Sequence, residues 1–329
     1  MSNNTSDRYG KMVYRRCGRS GLKLPAISLG AWETFGGYRG EDTARECLHG
    51  AFDLGITHFD LANNYGNPPG NAEIVCGKVI RTMPRDELIV SSKAGCPMWA
   101  GPYGDWGSRK HLLASCDQSL KRSGLEYFDI FYSHRHDAET PIEETMGALQ
   151  QIVRQGKALY VGVSNYDGAQ YMQARQAARD IGLPITIHQQ HYNMLSRKAE
   201  WDLFPQAAPA GTGVIVYCPL ASGLLTNKYL GGGMPAHSRA AEKWGKGWLD
   251  DVLTPQRHEQ LTKLSVIAEG RGQSLAQMTL AWTLHHPAIT SALVGASSLK
   301  QVQENVKALE RLEFSQHELD AIDKIAPAK

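Results

Sequence analysis

Short apolar segments alternate with segments of helical periodicity along almost the whole chain. Several of the apolar segments, such as ELIVSS and TSALVG, are continuous runs. Runs of this kind are typical of strands that are buried on both faces of a parallel sheet. The eight predicted strands are Ala26–Gly30, Ile56–Leu61, Glu87–Lys93, Tyr127–Ser133, Ala158–Gly162, Pro184–His188, Gly213–Tyr217 and Thr290–Val294.

Helix signals fall between these strands. Thr140–Glu143 matches a capping box with proline at the first helical position, and Ser274–Gln277 matches a second capping box. The apolar positions after the first box recur at steps of three and four, which predicts one apolar helix face. Ser108 is predicted to cap the helix that reaches Lys121.

Eight strand-then-helix units without a break in composition predict an α/β fold, a single (β/α)8 TIM barrel that spans 1–329 as one domain. Strand count alone leaves an open doubly wound sheet as the alternative. Residues 12–26 are predicted to form a hairpin ahead of the first barrel strand. Asn227–Asp251 is predicted to be a long irregular loop after strand seven, either a lid over the site or a tolerated surface insertion.

Composition narrows the possible partners. The net charge of the 329 residues is +2 and no block of like charges occurs, so no nucleic-acid partner or membrane surface is expected. The six cysteines form no CxxC pair, which indicates free thiols in a reducing compartment, with no metal site. No apolar run is long enough to span a membrane and no signal-peptide pattern begins the chain, so we expect a cytoplasmic protein.

Four polar residues lie where functional groups of barrels are found, at or after the carboxyl ends of predicted strands. Asp60, Lys93 and His134 each end an apolar run, and Tyr65 follows Asp60 by five residues. Taken singly, each has an ordinary structural alternative, such as a helix cap for the aspartate or a hydrogen-bonded structural role for the histidine.

Together these four residues form a device that can protonate an alkoxide after hydride transfer to a carbonyl. Tyrosine can supply the proton, but its ordinary pKa of about 10 is high for use near neutral pH. The Lys93 ammonium is predicted to lower the pKa of Tyr65, and Asp60 to hold Lys93 charged and in place. His134 can form a hydrogen bond with the carbonyl oxygen or with the Tyr65 hydroxyl.

At these residues the chain resembles the aldo-keto reductases, whose catalytic tetrad falls on Asp60, Tyr65, Lys93 and His134. The resemblance runs from about residue 14 to residue 325 and includes GRSGLKLPAISLGAW and KALYVGVSN. It is strongest to the branch shared by potassium-channel β-subunits and bacterial L-glyceraldehyde-3-phosphate reductases. FDLANNYGNPPG and IFYSHRHD are similar to the latter.

The resemblance implies an NADP-dependent enzyme that binds NADP(H) along the barrel mouth. Neither a GxGxxG turn after a strand nor a Walker A sequence is present. The implied cofactor-binding residues are Trp32, Asp60, Ser164, Asn165, Gln189, Tyr217, Pro219, Leu220, Ala221, Gly223, Lys228, Arg239, Gly295, Ser297, Gln301, Glu304 and Asn305. The implied substrate residues are Trp32, Tyr65 and His134.

A small aldehyde is the implied substrate, with L-glyceraldehyde 3-phosphate and methylglyoxal as the examples that the branch suggests. Aromatic residues near the mouth fit a small polar ligand; they are Trp32, Trp99, Tyr103 and Trp106. Arg109 and Arg135 are candidates for contact with a phosphate. The same branch implies a homo-oligomer, a tetramer or an octamer.

Besides aldehyde reduction, the sequence leaves two other functions open. The chain can be a regulatory subunit that senses NADPH, as the channel β-subunits do, although they lack a histidine at the position of His134. It can also be an aldolase in which Lys93 forms an imine, but that needs a lysine of depressed pKa, and Asp60 would keep Lys93 protonated.

Overall fold

The computed structural model describes residues 7–231, 234–236 and 240–328. An antiparallel hairpin, β1 (Tyr14–Arg16) and β2 (Lys23–Pro25), precedes a closed barrel of eight parallel strands. In neighbour order the barrel strands are β3 (Ile27–Gly30), β4 (His58–Asp60), β5 (Ile89–Ala94), β6 (Phe128–Ser133), β7 (Ala158–Ser164), β8 (Ile185–His191), β9 (Gly213–Tyr217) and β10 (Ile289–Val294).

Helices connect the strands and surround the barrel. The α-helices are α1 (Glu41–Asp53), α2 (Asn71–Ile80), α3 (Arg109–Ser123), α4 (Ile142–Arg154), α5 (Gly168–Asp180), α6 (Phe204–Ala210), α7 (Gly245–Val252), α8 (Pro255–Gly270), α9 (Leu275–His285), α10 (Leu299–Val306) and α11 (Gln316–Ile325). Short 3-10 segments are Arg85–Glu87, Lys198–Glu200, Ala221–Gly223, Asn227–Tyr229 and Lys307–Glu310, and Ala240–Trp244 is a π-helix.

The eight predicted strands are confirmed, with ends that shift by at most three residues. β10 pairs with β3, as Ala292 lies opposite Ile27, so the sheet closes on itself and the doubly wound alternative is excluded. β7 and β8 run further than predicted because the polar residues at their ends still pair in the ladder, Ser164 with Gln189. The closed barrel brings the carboxyl ends of all eight strands to one mouth.

Two of the three predicted helix caps are confirmed. The Ser108 hydroxyl accepts a hydrogen bond from the third residue of α3, and Ser274–Gln277 forms the reciprocal capping box. The box at Thr140 is wrong, because its hydroxyl donates to Asp137 Oδ2 at 2.6 Å and α4 follows Pro141 without a side-chain cap. Pro141, and not Thr140, occupies the N-cap position, so the Thr140 side chain lies one residue too early to cap α4.

The predicted hairpin is confirmed, and it closes the floor of the barrel. Its buried side chains pack against inward-facing residues of the barrel strands in one apolar cluster, made of Cys17, Leu22, Leu24, Ile130, Tyr132, Ile187, Ile215 and Leu293. The interior at this end is therefore filled by side chains, as is usual for this barrel.

The stretch predicted as an irregular loop after strand seven is largely helical where it is described, so that prediction is wrong. The π-helix and α7 form one continuous helical segment. The Trp244 ring lies 6.4 Å from the Trp32 ring, and Arg39 donates to Glu242 at 3.0 Å. These tertiary contacts hold the segment over the loop that follows β3, and sequence periodicity does not reveal such contacts.

Neither a membrane segment nor a metal cluster is found in the described ranges. No helix there has both the length and the apolar character needed to cross a bilayer. Within the same ranges, no three or more His, Cys, Asp or Glu side chains are grouped so as to hold a metal ion.

The barrel interior leaves no room for a side chain at Gly162. A Cβ atom at Gly162 would lie 2.5 Å from the Tyr132 ring and 2.7 Å from Ile187. Because overpacking typically costs about 1–3 kcal/mol, we expect Gly162→Ala to lower the free energy of unfolding by roughly that amount. Urea titration measures it. Gly21→Ala is the matched control, since a Cβ at Gly21 meets nothing within 4 Å; equal losses in both variants would contradict the packing argument.

Candidate active site

Lys93 lies at the centre of the polar cluster at the barrel mouth. Its Nζ donates to Asp60 Oδ2 at 2.5 Å, to the Leu61 carbonyl oxygen at 2.7 Å and to the Tyr65 hydroxyl at 3.3 Å. The Lys93 and Asp60 side chains are 0% and 1% exposed. An ammonium group has three protons to donate, so this set of partners accounts for all of them.

The Asp60 carboxylate is also fully engaged. Its Oδ1 accepts from Ser91 Oγ at 2.6 Å and from Gln189 Nε2 at 3.2 Å. Asp60 belongs to β4, Ser91 and Lys93 to β5, and Gln189 to β8. The cluster therefore exists only when the barrel is closed.

Tyr65 and His134 stand side by side at the surface of this cluster. Their ring centroids are 5.8 Å apart with an interplanar angle of 73°. Both side chains line a cavity at the barrel mouth, although each is less than a tenth exposed. His134 Nδ1 is buried and finds no hydrogen-bond partner among the described residues. A carbonyl oxygen placed before this pair would meet a phenol and an imidazole together.

Burial controls the protonation of these groups. It raises the pKa of Tyr65 well above the ordinary value, and the Asp60 carboxylate adds to that effect. The predicted lowering of this pKa by Lys93 is therefore wrong in net direction, because the phenol is fully desolvated. Burial, with Lys93 and Arg135 beside it, lowers the pKa of His134 well below the ordinary value. Tyr65 is a neutral phenol and His134 a neutral imidazole near pH 7.

A hydrogen-bonded chain continues from Asp60 into the barrel interior. His58 Nε2 lies 3.0 Å from Ser91 Oγ, and His58 Nδ1 lies 2.9 Å from Ser28 Oγ, which in turn lies 2.6 Å from Ser291 Oγ. Burial lowers the pKa of His58 to about 4. Because Ser91 donates its proton to Asp60, it must accept from His58, so we assign the Nε2–H tautomer to this neutral ring.

A cavity of about 600 Å³ extends from Tyr65 and His134 to the N-terminus of α10. Most of the predicted cofactor-binding residues line it: Trp32, Asp60, Ser164, Asn165, Gln189, Tyr217, Pro219, Leu220, Gly223, Lys228, Gly295, Ser297, Gln301, Glu304 and Asn305. Ala221 does not line it, although both of its neighbours do. Arg239 lies outside the described residues.

The turn after β9 has the backbone shape of an anion-binding site. Cys218, Ala221 and Ser222 have φ values of 53°, 47° and 59°, and Gly223 has φ 96°. Leu220, with φ −93° and ψ 16°, directly precedes the left-handed Ala221, and a right-handed residue followed by a left-handed one arranges neighbouring N–H groups into a concave site that suits phosphate. At the other end of the cavity Ser298 caps α10, and helix N-termini also favour phosphate. The cavity therefore fits an elongated molecule with phosphate groups, as a dinucleotide is.

Tyr217 is tied to the site by a chain of hydrogen bonds. Its hydroxyl donates to Asn165 Oδ1 at 2.7 Å, and Asn165 Nδ2 donates to the His134 carbonyl oxygen at 3.0 Å. The His191 ring packs 5.3 Å from the Tyr217 ring. Tyr217 thus presents a fixed aromatic surface beside His134, suited to stacking against a flat ring.

Several cavity residues were not predicted. They are Gly30, Tyr38, Asn64, Cys96, Cys218, Ser222, Thr226, Tyr229, Ala276, Leu293, Val294, Ser298 and Lys300. A signal exists for three of them, since Asn64 directly precedes Tyr65, and Ser298 and Lys300 lie in the same helix-opening sequence as Ser297 and Gln301. Tyr38 and Thr226 reach the cavity through loop geometry that no local pattern encodes.

The predicted phosphate contacts of Arg109, at the start of α3, and of Arg135, after β6, are not supported. The aromatic residues Trp99, Tyr103 and Trp106 lie outside the cavity, as do Arg109 and Arg135. Arg135 stacks over Trp106 at 3.6 Å and donates to Asp105 at 2.6 Å, whereas Arg109 turns to Gln151 on α4 at 3.2 Å. Both arginines donate hydrogen bonds to side chains that are distant in the sequence, and sequence spacing does not reveal such partners.

Burial lowers the pKa of Lys93 below its ordinary value although Asp60 opposes this shift, so the expected effect of Asp60 is wrong in net direction. The imine mechanism is excluded by the geometry instead. Lys93 is fully buried, does not line the cavity, and has its three ammonium protons engaged. A carbonyl compound in the cavity cannot reach its Nζ without displacing Tyr65.

Comparison with known proteins gives consistent matches over nearly the whole chain. The model of the Aldo/keto reductase family matches residues 26–327. L-glyceraldehyde 3-phosphate reductase of Escherichia coli (strain K12) is 51% identical over 324 residues, 97% of this chain and 93% of that protein. A probable voltage-gated potassium channel subunit beta of Arabidopsis thaliana is 37% identical over 326 residues, 97% of this chain and 98% of that protein.

The buried, neutral His188 is expected to make the free energy of unfolding depend on pH in the acid range. Burial lowers the pKa of His188 to about 3, and the imidazole is expected to titrate near 6.5 when unfolded. Between these pH values the unfolded chain binds a proton that the folded chain does not. The stabilisation is complete above about pH 6.5 and is lost as pH falls, by about 1.4 kcal/mol per unit for each such histidine.

We expect His188→Gln to reduce the slope of unfolding free energy against pH by about one proton between pH 6 and pH 4.5. Urea titrations across this range measure the slope. His317→Gln, at an exposed position of α11, is the matched control. An unchanged slope in His188→Gln would show that His188 does not titrate on unfolding.

Proposed function

Because this chain belongs to the aldo/keto reductase family, we propose that it reduces small aldehydes with NADPH, with Tyr65 as the general acid. As a member of this family it is an oxidoreductase. The observation that carries the proposal is the chain of contacts Asp60–Lys93–Tyr65, which ends at the cavity wall beside His134.

The residues that would hold the cofactor follow the length of the cavity. Tyr217 would stack against the nicotinamide, with Ser164, Asn165 and Gln189 near its carboxamide. The turn Pro219–Gly223 would hold the pyrophosphate. The start of α10, with Ser297, Lys300 and Gln301, would hold the 2′-phosphate that distinguishes NADPH from NADH, and Lys300 adds a positive charge there.

When bound, the reduced nicotinamide supplies a hydride to the carbonyl carbon. Tyr65 and His134 hold the carbonyl oxygen, which becomes negative as the carbon is reduced. Tyr65 gives its proton to that oxygen, and the product is an alcohol. The phenolate that remains is stabilised by the Lys93 ammonium at 3.3 Å, whose own charge is held by Asp60.

The raised pKa of Tyr65 suits reduction. A buried phenol remains protonated in the resting site, so the proton is present when the aldehyde arrives. Lys93 acts at the moment of transfer, since its attraction is larger for the phenolate than for the phenol.

The proposed substrates are small aldehydes such as L-glyceraldehyde 3-phosphate and methylglyoxal. The similar Escherichia coli protein is a reductase of the former. His134 favours turnover over a purely regulatory role like that of the channel subunits, because it completes the set of groups around the carbonyl oxygen.

Tyr65→Phe removes the proton donor and keeps the ring. We expect the rate of aldehyde-dependent NADPH oxidation to fall roughly 10²- to 10⁴-fold. NADPH affinity, measured by titration of protein fluorescence, should change little. Tyr103→Phe, at an exposed tyrosine outside the cavity, is the matched control. Normal turnover by Tyr65→Phe would rule out Tyr65 as the acid.

Lys300→Ala tests the choice of cofactor. We expect the Kd for NADPH to rise about tenfold, as loss of one charge-assisted hydrogen bond implies, while the Kd for NADH changes little. Isothermal titration with both dinucleotides measures this. The control is Lys263→Ala, on α8 and outside the cavity. Equal weakening of both dinucleotides would remove Lys300 from contact with the 2′-phosphate.

A further inference from the structure

One polar side chain at the substrate end of the cavity has no place in the mechanism. Asn64 lines the cavity next to Tyr65, near Trp32, Tyr38 and His134. Its Oδ1 is buried and has no hydrogen-bond partner among the described residues. Buried amide oxygens are nearly always paired, and an unpaired one costs free energy that a bound partner recovers.

Asn64 is held rigidly where it stands. The segment around it extends the pairing of β4 with β5, because the Leu61 amide donates to Ser91 O at 2.8 Å and the Asn63 amide donates to Lys93 O at 3.0 Å. On its other side the loop is fastened to Gly36, whose carbonyl oxygen accepts from the Asn67 amide at 2.8 Å and from Asn71 Nδ2 at 2.8 Å. The backbone that carries Asn64 and Tyr65 is therefore fixed on both sides.

We propose that Asn64 favours, among small aldehydes, those that carry a hydroxyl group on the carbon next to the carbonyl, as L-glyceraldehyde 3-phosphate does, over those that lack it, as methylglyoxal does. This rests on the proposed function, because the carbonyl oxygen must lie at Tyr65 and His134. Asn64 and Tyr65 line the same cavity, and with the carbonyl oxygen at Tyr65 we place a hydroxyl on the adjacent carbon against Asn64.

A hydroxyl group is the matching chemistry for this carboxamide. It donates to the unpaired Oδ1 and can also accept from Nδ2. A simple alkyl aldehyde brings no donor, so its binding leaves Oδ1 buried and unpaired. Sites built to hydrogen-bond a substrate hydroxyl discriminate strongly against analogues that lack it.

The other polar groups at this end do not offer the same selection. Tyr65 and His134 are used by the carbonyl oxygen in every substrate, and Trp32 gives mainly an aromatic surface. Tyr38 has the remaining hydroxyl on this wall, in the loop that Gly36 joins to the Asn64 segment. Discrimination by Tyr38 is thus the alternative that the experiment must separate.

The test compares kcat/KM for 2-hydroxypropanal and for propanal, which differ only in the hydroxyl on the carbon next to the carbonyl, with NADPH at saturation. Wild type should prefer 2-hydroxypropanal. In Asn64→Leu, which is close to asparagine in size, that preference should fall about tenfold, the loss expected for one hydrogen bond to a buried amide. Tyr38→Phe, the control, should keep the preference.

Asn64→Ala is made in parallel with Asn64→Leu, and thermal melting shows which of the two variants is folded. Each folded Asn64 variant should show the same loss of substrate preference. An unchanged preference in a folded Asn64 variant, or loss of the preference in Tyr38→Phe alone, overturns the assignment while aldehyde reduction stands. Failure of wild type to reduce either aldehyde overturns the proposed function and this inference with it.

Discussion

The ion pair between Lys93 and Asp60 is the interaction on which the rest of the site depends. Removing two charges from water costs several kcal/mol per ion, and their attraction offsets this only when the remaining protons and lone pairs are satisfied. Here Leu61, Ser91, Gln189 and the Tyr65 hydroxyl supply those partners. Strands β4, β5 and β8 must therefore end within hydrogen-bond distance of one another, which barrel closure ensures.

The polar cluster is continuous with the barrel interior. From Asp60 the hydrogen bonds pass through Ser91 and His58 to Ser28 and Ser291, and so cross from β5 to β4, β3 and β10. A buried polar network fixes geometry when every member is paired. We infer that this network, together with the hairpin that fills the barrel floor, gives the mouth a rigid base. The orientation of Tyr65 then depends on the barrel and only in part on its own loop.

The two ends of the cavity serve different recognition tasks. Along one side, the left-handed turn after β9 and the start of α10 have the features of phosphate sites, and they lie far along the chain from the tetrad residues. On the other side, Trp32, Tyr38 and Asn64 form a short wall whose loops are fastened together through Gly36. In our proposal, the cofactor end supplies most of the binding surface and the substrate end supplies the choice of aldehyde.

The sequence alone was enough to predict the barrel, its eight strands and its hairpin, and to single out four polar residues, Asp60, Tyr65, Lys93 and His134, that the fold brings together at the barrel mouth. This is because strand burial produces continuous apolar runs, and because functional residues of barrels follow those runs at fixed points. Sequence spacing did not predict the net pKa of Tyr65, the partners of Arg135, the helical segment at Trp244 or the exposure of Asn64 to the cavity. Each of these depends on which distant side chains desolvate or pair with a group, and only the folded chain brings those side chains together.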